Sequence, residues 1–348
     1  MIEITEQLAT QHPNGKDVYV FTLKNGSGTE ATVTNYGAII MSIKVRKTDG
    51  TFNDIVLGFD TPQEYWSEAY FKNYPYYGAA IGRYANRVNH AAITIDGREY
   101  RLNSASPGYQ LHGGVEGFDK KVWDKVSATD GHVVLQYVSP DGEEGYPGNL
   151  TVQIIFSLNE DNEFSYEYRA TTDQPTAVNI THHSYFNLNN GKGRIDQQHL
   201  RIHASNYLEQ DANYCTTGNV LPVKGTRNDF SNWNETGNIE NPELGIDISY
   251  PLDNPGIHQV AAEAWCDEEA IKLEVYTTEP LVHLYNSYGS PEIKGKNGQP
   301  YTAFSAFCFE TQVHPNAINI PSFPNTVLRP GEVYQTKTTY RLTEKEKQ

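Results

Sequence analysis

The sequence predicts an all-β protein, built as a large antiparallel β-sandwich with few short helices. Three observations indicate this fold: short runs in which apolar and polar residues alternate, Asp-Gly pairs between such runs, and little helical periodicity. No Pro/Ser-rich linker and no internal block of like charge divides the chain. We therefore expect one sandwich domain over residues 1–342 and a frayed tail over residues 343–348.

The first predicted element after the N-terminal strands is a short helix over residues 61–73. Thr61 is suited to be its N-cap and Pro62 its first helical residue. Much later, the polar stretch 228–247 is expected to form a long surface loop. Long loops on β scaffolds often frame a binding site.

Hairpins account for much of the remaining pattern. An Asp-Gly pair divides residues 93–100 into two strands, and the runs 150–158 and 164–168 form a second predicted hairpin. Further Asp-Gly pairs punctuate similar strands at Asp49-Gly50, Asp130-Gly131 and Asp141-Gly142.

Composition limits the classes of partner. The formal net charge of −16 argues against nucleic acid and anionic membranes, which require a cationic surface, and favours a neutral substrate. Three widely spaced cysteines without a C-x-x-C pair are typical of free thiols in a reducing compartment. No signal peptide and no apolar run of roughly 20 residues is visible. We expect a cytoplasmic protein.

The segment 306–315 places one carboxylate among apolar and aromatic residues. Alternation of two phenylalanines with Cys308 and Glu310 predicts a strand, with Glu310 near its end and ahead of Pro315. A carboxylate that is partly removed from water is a stronger base near neutral pH. The alternative is an edge-strand glutamate satisfied by an arginine or by solvent.

Two further segments carry side chains suited to bind a polar ligand. Asn86 and Arg87 offer an amide beside a guanidinium, a pair that can hydrogen-bond sugar hydroxyls and a ring oxygen. His112 precedes two glycines, which permit a close approach of backbone to a ligand. The arginine could instead hold a loop carbonyl, and the glycines could simply form a turn.

Histidines and a second carboxylate complete the candidates. If the segment around His182 and His183 is a strand, the two imidazoles face opposite sides, so one of them at most enters a given cleft. The residue pattern alone does not choose between them. Asp247 and Glu310, with two histidines from distant segments, have the side chains of a general acid/base site.

Other chemistries lack their motifs. The sequence contains no H-E-x-x-H and no Cys/His ribbon, so we expect no metal site. It contains no P-loop, no G-x-G-x-x-G and no G-x-S-x-G, so we expect neither a nucleotide cofactor nor a serine hydrolase.

Segments spread over nearly the whole chain resemble the aldose 1-epimerase (galactose mutarotase) family. No single segment is decisive, but their shared order makes the resemblance specific. The matching segments are Asn35–Ala38, Asp54–Asp60, Tyr77–Arg87, Leu111–Asp119, Ser139–Gly148, His183–Leu188, Thr217–Gly218, Pro222–Thr226 and Glu310–Gln312.

The resemblance implies a galactose mutarotase-like supersandwich that interconverts the α and β anomers of free aldoses without a metal or organic cofactor. It implies Glu310 as the general base, His183 as the general acid, and His112 as a group that polarises the sugar, leaving His182 structural. The side chains expected to hold the sugar are Asn86, Arg87, Asp247 and Glu279. The implied partner is a monosaccharide, or a disaccharide with a free reducing end, and both a monomer and a homodimer fit.

The chain departs from the family pattern at Ile248, Ser249 and Glu279, positions expected to line the cleft. Sugar preference is therefore expected to differ from that for galactose. Two other functions use the same kinds of side chain. One is glycoside cleavage by a carboxylate pair, and the other is carbohydrate binding without catalysis.

Overall fold

The computed structural model describes residues 1–72, 74–235 and 245–344, which are folded largely as β-strands. The first strands are β1 Glu3–Gln11, β2 Asp17–Lys24, β3 Glu30–Thr34, β4 Ile40–Arg46, β5 Phe52–Asp54, β6 Ala80–Ile81, β7 Arg87–Asn89, β8 Ala92–Ile95, β9 Arg98–Arg101, β10 Tyr109–Leu111, β11 Asp124–Thr129, β12 His132–Ser139, β13 Leu150–Leu158, β14 Glu163–Thr172 and β15 Thr176–Ala177. The later strands are β16 Thr181–His182, β17 Gln198–Ile202, β18 Asn206–Gln210, β19 Thr216–Pro222, β20 Asn234–Glu235, β21 Asp247–Pro251, β22 Gly256–Cys266, β23 Ile271–Thr277, β24 Leu281–Tyr285, β25 Ile293–Lys294, β26 Pro300–Tyr301, β27 Cys308–Gln312, β28 Val327–Leu328 and β29 Tyr334–Glu344.

Three sheets organise these strands. A nine-stranded sheet has the order β11-β12-β13-β14-β29-β23-β22-β17-β20, a five-stranded sheet runs from β1 to β5, and a three-stranded sheet has the order β21-β24-β27. The ladders within all three are antiparallel. The predicted all-β, antiparallel fold class is therefore confirmed.

The main core lies on one face of the nine-stranded sheet. Strand β13 alternates strictly between buried and half-buried residues, as a strand with one covered face does. Its buried residues join a cluster that also contains Phe21 of β2, Leu284 of β24 and Phe309 of β27. The nine-stranded sheet thus packs against the other two sheets in the manner of a sandwich, and each buried aliphatic or phenyl side chain contributes about 1.5–3 kcal/mol.

The predicted hairpins are confirmed, and the predicted helix is corrected. β8 and β9 flank the Asp96-Gly97 turn, and β13 pairs with β14 along nine residues. The helix expected over residues 61–73 divides into a 3₁₀ segment at Pro62–Trp66 and a single helical turn, α1, at Glu68–Phe71. Ser67 separates them because its backbone is extended, and its hydroxyl caps α1 by accepting from the N–H of Tyr70.

The C-terminal strand continues beyond the predicted domain boundary. Thr343 and Glu344 pair with β23, and residues 345–348 lie outside the described part of the chain. Of the predicted loop 228–247, residues 236–244 also lie outside it. The one-domain organisation stays a prediction. Within the described ranges, no helix has the length and apolar character needed to cross a membrane.

A candidate active site on the three-stranded sheet

The three-stranded sheet has one face on the core and the other on a cleft. In β24, Val282 and Leu284 join the core, so the alternation of side chains turns His283 to the opposite face. A cavity of about 260 Å³ lies on that face. Six of the seven predicted site residues line it, namely Asn86, Arg87, His112, His183, Asp247 and Glu310.

Glu310 is almost fully buried, with 1% of its surface exposed. It lies in the middle of β27, not near the end as predicted, because the ladder with β24 continues to Gln312. Its Oε1 is 3.6 Å from Nε2 of His183, and its Oε2 has no hydrogen-bond partner among the described residues. The carboxylate is therefore held in the cleft with capacity to accept a proton from a ligand.

His182 is the last residue of β16 and His183 follows it directly, and the two imidazoles face opposite sides, as the residue pattern predicted. The imidazole of His182 packs against Tyr166 in the core, and its Nδ1 is hydrogen-bonded to the hydroxyl of Tyr168 at 2.8 Å. The imidazole of His183 lines the cleft and stacks on Tyr185. Burial lowers the pKa of His182 to about 3. Burial also lowers the pKa of His183, although the negative charge of Glu310 opposes the shift.

The loop after β10 fixes the orientation of His112. Its imidazole Nδ1 accepts the backbone N–H of Asn86 at 3.2 Å, and the backbone N–H of His112 donates to the carbonyl of Asn86 at 3.0 Å. Gly113 follows with a φ of 84°, and a Cβ there would lie 1.9 Å from the carbonyl oxygen of Gly82. The glycine is thus needed for close packing, and it keeps His112 in the cleft.

The contact of His112 with Asn86 also determines what the imidazole can offer. Burial holds its pKa well below the usual value, so the ring is neutral near pH 7. Because Nδ1 accepts a hydrogen bond, the single proton is on Nε2. His112 is therefore a hydrogen-bond donor, suited to an oxygen of a ligand.

A metal site was not expected, yet three possible ligands converge here. One atom from each of His112, His183 and Glu310 lies within 4.8 Å of the others, a grouping that a divalent ion could use. A metal needs an unprotonated nitrogen from each imidazole. The backbone N–H of Asn86 leaves His112 with a protonated Nε2, so the hydrogen bonding favours a ligand oxygen over a metal.

Arg87 and Asp247 lie side by side at the other end of the cleft. Nη2 of Arg87 is 3.7 Å from Oδ2 of Asp247, and its guanidinium lies between the rings of Tyr109 and Tyr214. Burial raises the pKa of Asp247, but the hydrogen bond from His283 and the charges of His283 and Arg87 outweigh it and hold this pKa below its usual value. Asp247 is therefore an ionised acceptor.

The seventh predicted residue, Glu279, does not line the cleft. It lies in the turn between β23 and β24, it is buried, and its Oε1 accepts the hydroxyl of Tyr334 at 3.1 Å. The residues of β24 that line the cleft are His283 and Tyr285, and Glu279 lies before this strand begins. Glu279 therefore lies outside the cleft lining.

Sequence reasoning missed His283 and several tyrosines. His283 lies opposite Glu310 in the β24–β27 ladder, and its Nε2 is 2.8 Å from Oδ1 of Asp247. In the run Leu281–Tyr285, His283 lies between the apolar residues Val282 and Leu284, a signal that alternation could have detected. The tyrosines that line the cleft are Tyr74, Tyr76, Tyr185, Tyr285 and Tyr288.

Comparison with known proteins identifies the family of this chain. A sequence model described as aldose 1-epimerase matches residues 19–341. Galactose mutarotase from Homo sapiens is 38% identical over 89% of this chain and 90% of its own length, and aldose 1-epimerase from Escherichia coli K12 is 33% identical over 98% and 99%. The crystal structure of an aldose epimerase homologue from C. elegans superposes with a TM-score of 0.86 at 28% identity, covering 92% of this chain and 98% of that one. This chain belongs to the aldose 1-epimerase family.

Proposed function

We propose that this protein interconverts the α and β anomers of free aldoses by acid/base catalysis, with Glu310 as the base and His183 as the acid. The observation that supports these roles best is the 3.6 Å separation of Glu310 Oε1 and His183 Nε2 within one buried cleft. The anomeric hydroxyl and the ring oxygen of an aldose are bonded to the same carbon. A base and an acid that serve both oxygens must therefore face each other across a short distance.

The reaction follows from these two groups. Glu310 takes the proton of the anomeric hydroxyl, the bond between C1 and the ring oxygen breaks, and His183 delivers a proton to that oxygen. The free aldehyde turns about the C1–C2 bond, and ring closure on its other face returns both protons. Burial lowers the pKa of His183, so its imidazolium is a stronger acid toward the ring oxygen, and the neutral ring that remains can take the proton back when the sugar ring closes.

The remaining cleft residues supply binding. Nε2–H of His112 donates to a sugar oxygen, the carboxylate of Asp247 accepts from a hydroxyl, and Arg87 and Asn86 add donors of fixed orientation. Tyr76 and Tyr185, which stack on the imidazole of His183, add aromatic surface to the cleft lining for the apolar side of a pyranose. The substrate is a neutral monosaccharide or a disaccharide with a free reducing end.

Polarimetry on freshly dissolved α-glucose and α-galactose tests the proposal. The protein is expected to speed the decay of optical rotation, and Glu310→Gln is expected to slow it about 10²–10⁴-fold because the amide cannot accept the proton. Galactose, glucose, xylose, arabinose and maltose would be compared in the same way to define the sugar preference.

Glu279→Gln is the matched control, since it makes the same change at a buried glutamate outside the cleft. An unchanged rate in Glu310→Gln would refute the role of Glu310. Release of reducing ends from a glycoside would favour cleavage by a carboxylate pair. Sugar binding in calorimetry without a change in the rotation rate would favour a non-catalytic binding protein.

A further inference from the structure

His283 occupies a central position in the three-stranded sheet. The ladders pair it with Ser249 on one side and with Glu310 on the other, so these three side chains form a row across β21, β24 and β27. His283 and Glu310 both line the cleft, and all three are buried. The acid and base roles of His183 and Glu310 do not involve His283.

Both ring nitrogens of His283 have an oxygen partner. Its Nε2–H donates to Oδ1 of Asp247 at 2.8 Å, and its Nδ1 is 2.8 Å from Oγ of Ser249. A serine hydroxyl can donate to a neutral imidazole or accept from a protonated one. His283 can therefore gain or lose a proton on Nδ1 while it keeps both hydrogen bonds.

Charged and titratable groups face His283 from each neighbouring element. Asp247 on β21 and Glu310 on β27 favour the imidazolium, whereas burial and Arg87 on β7 oppose it. The net result is that the pKa of His283 is raised above its usual value. The charge of His283 in turn lowers the pKa of His183 and of His112.

The protonated form balances the charges of the cleft. Glu310 is a buried carboxylate and Asp247 a half-buried one, and Arg87 alone supplies one positive charge among the lysines and arginines of the described cleft lining. A protonated His283 supplies the second. Buried charges are tolerated where they are paired and hydrogen-bonded, as His283 is here.

We propose that His283, hydrogen-bonded to Ser249, is a positioning residue that holds the carboxylate of Asp247 toward the sugar, and that it holds this carboxylate more firmly while its ring is protonated. This proposal rests on the proposed function and deepens it. It makes two separable predictions, one for the hydrogen bond and one for the charge.

Loss of the hydrogen bond is tested by His283→Ala, with His283→Gln as the conservative variant. Removal of a hydrogen bond to a charged group is expected to raise KM roughly 10- to 100-fold in His283→Ala. The amide of His283→Gln can still donate to Asp247, so KM is expected to remain close to that of the wild type.

The charge is tested by pH profiles of kcat/KM. In the wild type, kcat/KM is expected to fall several-fold as pH rises through the pKa of His283, because the neutral ring holds Asp247 by a hydrogen bond without a charge, which is weaker. His283→Gln should lack this decline. Ser249→Ala should move it to lower pH, since the imidazolium then has no acceptor for its Nδ1 proton.

NMR titration of the imidazole ring signals measures the charge of His283 independently of activity. A titration above pH 6.5 that falls in Ser249→Ala supports the proposal, whereas a titration below 6.5 overturns it. Identical pH profiles for the wild type and His283→Gln also overturn it, as does an unchanged KM in a folded His283→Ala. If the wild type fails to catalyse anomer exchange, the proposed function fails, and the NMR titration still decides the protonation of His283.

Discussion

At the scale of single residues, His182 and His183 show how one step along a strand changes the role of a side chain. His182 lies among tyrosines in the core, while His183 faces Glu310 across the cleft. The alternation of side chains was sufficient to predict that they diverge. It was not sufficient to predict which one enters the cleft, because that depends on which face of β16 the core covers.

The two histidines provide a paired test at this scale. We expect His183→Asn to slow anomer exchange about 10²–10⁴-fold, because an amide cannot deliver a proton to the ring oxygen. We expect His182→Asn to remain active and to lose stability by about 1–3 kcal/mol, through the broken hydrogen bond to Tyr168 and the loss of ring packing.

Polarimetric rates and urea denaturation would be measured on both variants. The urea midpoint separates a loss of folding from a loss of chemistry. Equal losses of activity in two folded variants would contradict the division of roles between core and cleft.

At the scale of elements, the sequence pattern predicted the strands more reliably than the position of a residue within a site. Alternation correctly placed Glu310 on a strand, but Pro315 suggested too early an end for β27, whose ladder continues to Gln312. His283 was missed because its significance comes from Asp247 and Ser249, which lie on β21, and no local pattern relates β24 to β21. Pairing between distant strands is a tertiary property.

Glu279 illustrates a different error. The resemblance to the family implied a cleft residue, but in the structure Glu279 precedes β24 and lies outside the cleft lining. Burial raises the pKa of this carboxyl to about 7, and the hydroxyl of Tyr334 compensates only partly. An unfolded glutamate ionises near pH 4.5. Stability is therefore fully retained below about pH 4.5 and decreases as pH rises toward 7, by roughly 3 kcal/mol in total.

Glu279→Gln is expected to remove this pH-dependent loss. The variant should be more stable than the wild type above pH 7, because the amide carries no charge to bury.

Glu263→Gln is a contrasting variant. Burial raises the pKa of Glu263, but His203 and Lys272 outweigh this effect and hold the pKa at about 2. That change should remove stability that the wild type has at neutral pH. Urea midpoints between pH 5 and 8 would measure both, and a flat difference between the wild type and Glu279→Gln would contradict the argument.

At the scale of the whole molecule, the negative charge is expected to disfavour anionic sugars in the cleft. The net charge of −16 surrounds a cleft in which Arg87, the only lysine or arginine among its described lining residues, is already paired with Asp247. A second carboxylate, Glu310, lies in the same cavity. Neither the electrostatic potential of the whole molecule nor the charges that line the cleft favour the binding of an anion.

We therefore expect free glucose to be a better substrate than glucose 6-phosphate, with kcat/KM for the phosphate at least about 10-fold lower at low ionic strength. Screening should reduce this difference. As ionic strength rises from about 0.01 to 0.15 M, the Debye length falls from about 30 to 8 Å, so kcat/KM for the phosphate should rise while that for glucose stays constant. Exchange NMR of the anomeric protons measures both sugars in the same way. Equal kcat/KM values at low salt would contradict the expectation and would indicate a cationic contact for the phosphate that compensates for the field of the molecule.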